Sequence, residues 1–193
     1  MSELIGSPAE EAASNLGNLT VRPAEAGDIP AIQAIYAHHV LHGIASFEEE
    51  PPGQEEIKRR LAEIRGQGLP YLVAEDRPGS GAILGFAYAA RYRARPAYRF
   101  TLEDSVYVLP GKGGRGIGSA LLGVLIEHCT TLGFRQMVAV IGDSANAGSI
   151  RLHARHGFRD VGTLPSVGFK HGRWVDSVFM QRALGAGDET LPG

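Results

Sequence analysis

The sequence predicts an α/β (α+β) fold, with a mixed, largely antiparallel central sheet flanked by helices on both faces. Three observations predict it. Short apolar runs at Tyr71 to Glu75, Ala82 to Tyr92 and Phe100 to Val108 follow in series, the first two joined by the hairpin chemistry of RPGSG. From Ile117 the period changes, since Leu121, Leu122, Leu125 and Ile126 recur at helical spacing, and strand-like and helix-like segments alternate from there to Leu184. With 44% apolar and 21% charged residues in 193, the chain is rich enough in apolar side chains to bury one core and is read as one domain over residues 18–184.

The remaining elements follow in order. Residues 1–17 and 185–193 are Gly-, Ala-, Ser- and acid-rich with little periodicity and are expected to be flexible tails. Leu19 to Arg22 reads as a short strand ended by Pro23. Asp28 is the expected cap of a helix carrying Ile29, Ile32, Ile35, Tyr36 and Val40, which Gly43 breaks. A loop over Ile44 to Pro52 leads to a second helix at Gln54 to Arg65. After a helix from Arg115 to Leu132, a strand (Phe134 to Ile141), a helix (Asn146 to His156) and two strands (Phe158 to Thr163 and Trp174 to Leu184) are expected, with GFKHGRW over Gly168 to Trp174 as a hairpin turn.

Charge and cysteine usage exclude several functions. A net charge of −2 offers no bulk attraction for nucleic acid or an anionic membrane, so neither is an expected partner. No apolar run nears the roughly 18 residues of a spanning helix, and the chain reads as cytoplasmic. The lone Cys129 shares a helical face with Leu122, Leu125 and Ile126, the place of a buried structural thiol. His38 and His42 have the i,i+4 spacing of metal ligands, but no third ligand of the expected type accompanies them, and no metal is expected.

The chemistry concentrates in EDSVYVLPGKGGRGIG, residues 103–118, a strand, a glycine loop and a helix start. Glycines at 111, 113, 114, 116 and 118 remove side chains where the backbone enters the helix, leaving its first N–H groups open to an anion. Lys112 and Arg115 add positive charge there. Gly111, Gly113 and Gly116 satisfy G-x-G-x-x-G, and Asp143 follows at the distance of a ribose-binding acid, so a dinucleotide-binding oxidoreductase is one reading. Too little chain follows Asp143 to complete that fold, and no Gly-Lys-Ser/Thr supplies a Walker loop. Glu103, at the start of the buried V-Y-V run, is either a solvated strand-end acid or a pocket carboxylate suited to general-base work; Asp104 points to the opposite strand face. Arg91, Arg93 and Arg95 share one face if they lie on a strand.

The order V-Y-V-x-P, a loop closing in G-x-G, a helix, then N-x-x-S-x-x-L-H-x-x-x-G-F from Asn146 to Phe158 resembles the GNAT superfamily of acyl-CoA-dependent N-acetyltransferases. FTLEDSVYV, ARYRARPAY and VGFKHGRWVDSVFMQ look like its phosphinothricin and methionine sulfoximine acetyltransferase members, the likeness running from about Leu19 to Leu184. The resemblance implies a GNAT-type sheet, acetyl-CoA as co-substrate, a small amine acceptor and a homodimer. It implies Glu103 as the general base and His153 as the donor of a proton to the departing thiolate, against which stands a hydrogen-bonded core histidine. Acetyl-CoA would lie along Val106, Tyr107, Val108, Lys112, Gly113, Gly114, Arg115, Gly116, Ile117, Gly118 and Ser119, with Asn146 and Ser149 at the pantetheine arm or as caps of their helix. Phe47, Arg93, Arg95, Tyr98 and Gly142 would meet the acceptor, and Lys170, His171 and Trp174 rank behind them. Gly113 stands where the family usually has Gln or Arg, which removes a side-chain contact but no backbone donor. Other small amines, or acyl-CoA binding without catalysis, are the alternatives.

Overall fold

The structure, a computed structural model, describes residues 19–192, so the expected N-terminal tail lies outside the described residues. Seven strands form one sheet: β1 (Thr20–Pro23), β2 (Tyr71–Glu75), β3 (Ile83–Arg91), β4 (Thr101–Val108), β5 (Gln136–Gly142), β6 (Arg159–Lys170) and β7 (Arg173–Ala183), in the order β1-β2-β3-β4-β5-β7-β6. Among the described residues, only β4 and β5 pair in parallel. This single parallel pair is spanned by α3 (Ile117–Thr131), and the other helices are α1 (Ile29–His42), α2 (Gln54–Gly66) and α4 (Ala147–Arg155).

Strand alternation divides the core into two layers. Phe86 and Tyr107 are cross-strand partners whose rings meet Tyr36 of α1, so Tyr88, Glu103 and Ser105 share the face covered by α1 and α2. Leu102, Asp104, Val106 and Val108 point the other way, under α3 and α4. Leu121, Leu122, Leu125 and Cys129 of α3 are fully buried there. The thiol of Cys129 is pushed up to about 12 by burial and by the nearby Asp104, which fits an inert core side chain.

Three local expectations are corrected. Asp28 precedes α1 but does not cap it: its carboxylate accepts from Glu25 N–H at 2.8 Å and from Arg22 at 2.8 and 2.9 Å, because a guanidinium on β1 outcompetes the helix start. Helix α3 begins at Ile117 rather than Arg115, since Gly116 takes the left-handed φ of 82° that a helix cannot continue through. Strand β6 runs to Lys170, beyond the expected Thr163, with its register shifting between Leu164 and Gly168, and the hairpin turns at His171–Gly172. At the other end of the chain, Arg135 donates to the carbonyls of Gly187 and Leu191 and to Thr190 Oγ1, folding residues 185–191 back over the start of β5.

Candidate active site

Strands β4 and β5 pair from Thr101↔Gln136 to Asp104↔Ala139 and then part, although β4 continues to Val108 and β5 to Gly142. The gap opens a cavity of about 290 Å³. Glu103, Val106 and Tyr107 of β4, Gly142 of β5, Asn146, Ser149 and His153 at α4, and Phe47 from the α1–α2 loop all line it. Leu109 N–H bonds Leu84 O on β3 at 2.8 Å, so by alternation the N–H groups of Val106 and Val108 face the β5 side, where pairing has ceased. They are backbone donors aimed into the gap.

Glu103 is half-buried, and its pKa lies above the ordinary carboxylate value. Burial is the larger cause and the charge of Asp104 the second, while Arg93 pulls the other way. On the opposite strand face, Asp104 Oδ2 accepts from His153 Nε2 at 3.0 Å, and His153 Nδ1 donates to Ser149 O at 2.8 Å. Both partners are acceptors, which favours a proton on each ring nitrogen, and Ser149 Oγ lies 3.3 Å from Nδ1. Burial pulls the ring's pKa down, but Asp104 more than offsets this and the net shift is upward. Asp104 and His153 are 6% and 4% exposed, and Asp104 Oδ1 has no partner among the described residues.

Phe47 is 42% exposed, yet its ring lies on two glycines. A Cβ at Gly168 would come within 2.6 Å of the ring, and one at Gly142 would come 3.3 Å from it and 2.1 Å from Ile44 O. Only glycine permits this approach. The loop is pinned through Ser46, whose Oγ meets Tyr36 Oη at 3.0 Å and whose carbonyl accepts from the buried Lys170 Nζ at 2.6 Å. His171 bonds Gly43 O at 3.2 Å from the same hairpin.

The glycine loop lies beyond Val108. Among the described residues, no protein acceptor meets the N–H groups from Gly113 to Ser119, which converge at the start of α3. Open donors at a helix start are an arrangement that suits an anion. Gly113, Gly114 and Arg115 are exposed, whereas Ile117 is 3% exposed and offers only its backbone. Ser119 Oγ is engaged by His156 Nε2 at 2.8 Å. Asn146 accepts from Ser149 N–H at 3.2 Å, the helix cap expected of it.

Arg93, Arg95 and Tyr98 do not line the cavity. They sit on the loop between β3 and β4, where Pro96–Tyr98 makes a 3₁₀ turn, so Arg91, Arg93 and Arg95 do not share a strand face. Asp143, the acid of the dinucleotide reading, is bound to Arg173 and to Ala145 N–H at 3.0 Å, and a sheet with one parallel pair removes that reading. Trp174 is exposed and stacks edge-on against Phe169, away from the cavity. Sequence reasoning missed Tyr88 and Ser177 in the lining, and His39, whose Nε2–H donates to Val108 O at 2.8 Å. Among the described residues, no group of His, Cys, Asp and Glu is placed to hold a metal ion.

A parallel pair that parts over a cavity, with a glycine loop and a helix start following β4, is the framework the comparisons identify. The profile of the acetyltransferase (GNAT) domain matches residues 21–179, and the chain belongs to that family. It is 56% identical over 173 residues to a phosphinothricin N-acetyltransferase of Alcaligenes faecalis, covering 90% of this chain and 86% of the relative. It is 40% identical to an L-methionine sulfoximine/L-methionine sulfone acetyltransferase of Salmonella typhimurium, over 86% of this chain and 95% of the relative. A Sinorhizobium meliloti phosphinothricin acetyltransferase solved with AcCoA superposes with a TM-score of 0.87 at 49% identity, covering 91% of this chain and 94% of the other. The protein is an acetyl-CoA-dependent N-acetyltransferase.

Proposed function

We propose that the enzyme transfers acetyl from acetyl-CoA to the α-amine of a small amino-acid analogue of the phosphinothricin or methionine sulfoximine type, by direct attack within a ternary complex. The observation that carries this is the cavity at the β4–β5 gap, which Glu103 and Val106 of β4 both line and toward which the N–H groups of Val106 and Val108 point. Relatives named for both acceptors support the substrate class.

The pyrophosphate of CoA docks on the N–H groups from Gly113 to Ser119, with Lys112 and Arg115 adding charge. The thioester carbonyl points at the Val106 and Val108 donors, which stabilise the oxyanion as the amine attacks. Glu103, made more basic by burial, takes the proton the ammonium must lose, directly or through one water. Asn146 and Ser149 border the pantetheine arm. His153 spends both N–H groups inside the fold, so it contributes positive charge beside the departing thiolate rather than a transferable proton. Arg93, Arg95 and Tyr98 close over the acceptor from the β3–β4 loop, and Phe47 with Gly142 walls its other side.

The domain spans residues 18–184 and works as a homodimer in the cytoplasm. Supporting the dimer, Val161, Leu164, Val167, Phe169 and Trp174 are all more than half-exposed or nearly so along the β6–β7 hairpin at the sheet edge. The test is a panel of phosphinothricin, methionine sulfoximine, a polyamine and a peptide N-terminus, assayed by thiol release from acetyl-CoA. The two amino-acid analogues are expected to lead in kcat/KM. A polyamine in first place would overturn the reading.

A further inference from the structure

We propose a second chamber beside the reaction cavity that takes the side chain of larger, uncharged acceptor amino acids, aromatic or branched aliphatic. The proposal rests on the acceptor's amine lying at Glu103. The chamber has a volume of about 340 Å³ and lies between α1, α2 and the β2–β3 pair. Its interior is formed by Tyr36, Ile57, Ile64, Tyr71, Phe86 and Tyr88.

Sheet register sets it next to the reaction cavity. Tyr88 lines both spaces and is the one residue they share. Ala90, in the chamber wall, is the cross-strand partner of Glu103, and Tyr88 is that of Ser105. Directly opposed residues on one face of a sheet have Cβ atoms about 4.5–5.5 Å apart. The chamber therefore starts one strand away from the proposed base, on the same face, within reach of a side chain whose α-amine is held at Glu103.

The lining selects the chemistry. Arg60 is committed to Glu48 at 2.7 Å and Glu56 at 2.8 Å, Glu63 is committed to Arg59 at 3.0 Å, and Arg91 donates to Arg99 O. The charges at the mouth are thus already engaged, and an ionised ligand group would enter the aromatic interior unpaired, at high cost. An uncharged side chain pays no such penalty and gains contact with four rings. Tyr71, 4% exposed, and the exposed Gln67 complete the lining.

The experiment compares phosphinothricin with phenylalanine as acceptors in the full chain, in Ile64→Phe, which fills the chamber, and in Gln67→Trp, which folds a ring over its exposed mouth. For phenylalanine, kcat/KM should fall roughly 10- to 200-fold in both variants, the range one hydrophobic pocket can discriminate. For phosphinothricin, kcat/KM and the KM for acetyl-CoA should stay unchanged. Equal losses for both acceptors, or an unaffected phenylalanine rate in a folded Gln67→Trp protein, would overturn the chamber. Wild-type enzyme that acetylates phosphinothricin but not phenylalanine would also overturn it and leave the proposed function standing; failure with both would bring down that function as well.

Discussion

Asp104→Asn is the substitution whose effect can be worked furthest from the geometry. The side chains of Asp104 and His153 are 1% and 5% exposed and meet at 3.0 Å, so bulk water screens the pair little. Removing one partner of a buried ion pair typically costs about 3–5 kcal/mol. The amide keeps an oxygen that accepts from Nε2–H, a neutral hydrogen bond worth about 1 kcal/mol, which leaves an expected loss of about 2–4 kcal/mol. The sign with pH follows from His153, whose pKa in the fold is raised. Its contribution is complete below the ordinary histidine value of 6.5 and fades as pH rises through the higher value of the folded state. Guanidinium unfolding of both proteins at about pH 6 and about pH 9 should therefore give a larger difference at the lower pH. A difference independent of pH would refute the imidazolium assignment and the reading of His153 as a fixed positive charge.

Gly116→Val should abolish acetyl-CoA binding by calorimetry, because a β-branched residue is strained at φ 82° and also crowds the anion-binding N–H groups; unchanged affinity in a folded variant would displace the site. Lys170→Met strips the carbonyl of Ser46 of its donor, at a cost of about 1–3 kcal/mol, and loosens the loop that presents Phe47. Its melting temperature should fall and its acceptor KM rise, with the KM for acetyl-CoA unmoved. Arg95→Ala should lower kcat/KM for phosphinothricin at a cost of about 2–5 kcal/mol if the guanidinium binds the acceptor's acid group, and should leave acetyl-CoA untouched. Equal damage to both substrates would mark a structural role.

The sheet, the helices and the glycine loop were legible because their signals are local: alternating apolar runs, helical spacing and glycine at a helix start. What escaped the sequence depended on partners far along the chain. Asp104 looked like the lesser acid beside Glu103, since nothing near it announces His153, 49 positions on. The strand reads as ending at Thr163 and Gly168 to Trp174 as a turn because Pro165 and Gly168 interrupt the segment, and an edge strand exposed on nearly all positions shows no alternation to contradict that. Asp28 had the right residue type for a cap, but Arg22 claims both its oxygens. Arg91, Arg93 and Arg95 would share a face only on a strand, and β3 ends at Arg91. Gly142 was expected only to meet the acceptor, and the close approach of Ile44 O and the Phe47 ring explains why a side chain is excluded there.

The central claim, that Glu103 removes the acceptor's proton beside a thioester held on β4, is tested most directly by the pH dependence of kcat in Glu103→Gln. The substitution keeps size and hydrogen-bonding capacity and removes the base. An α-amine with a reference pKa of about 8 is mostly protonated at neutral pH, and a positioned base contributes roughly 10²–10⁴-fold in rate. The variant should bind CoA normally, lose activity by that factor near neutrality and regain part of it toward about pH 9 as free amine accumulates. Wild-type kcat in the variant from about pH 6 to about pH 9 would contradict the account and return Glu103 to a structural place at the start of β4.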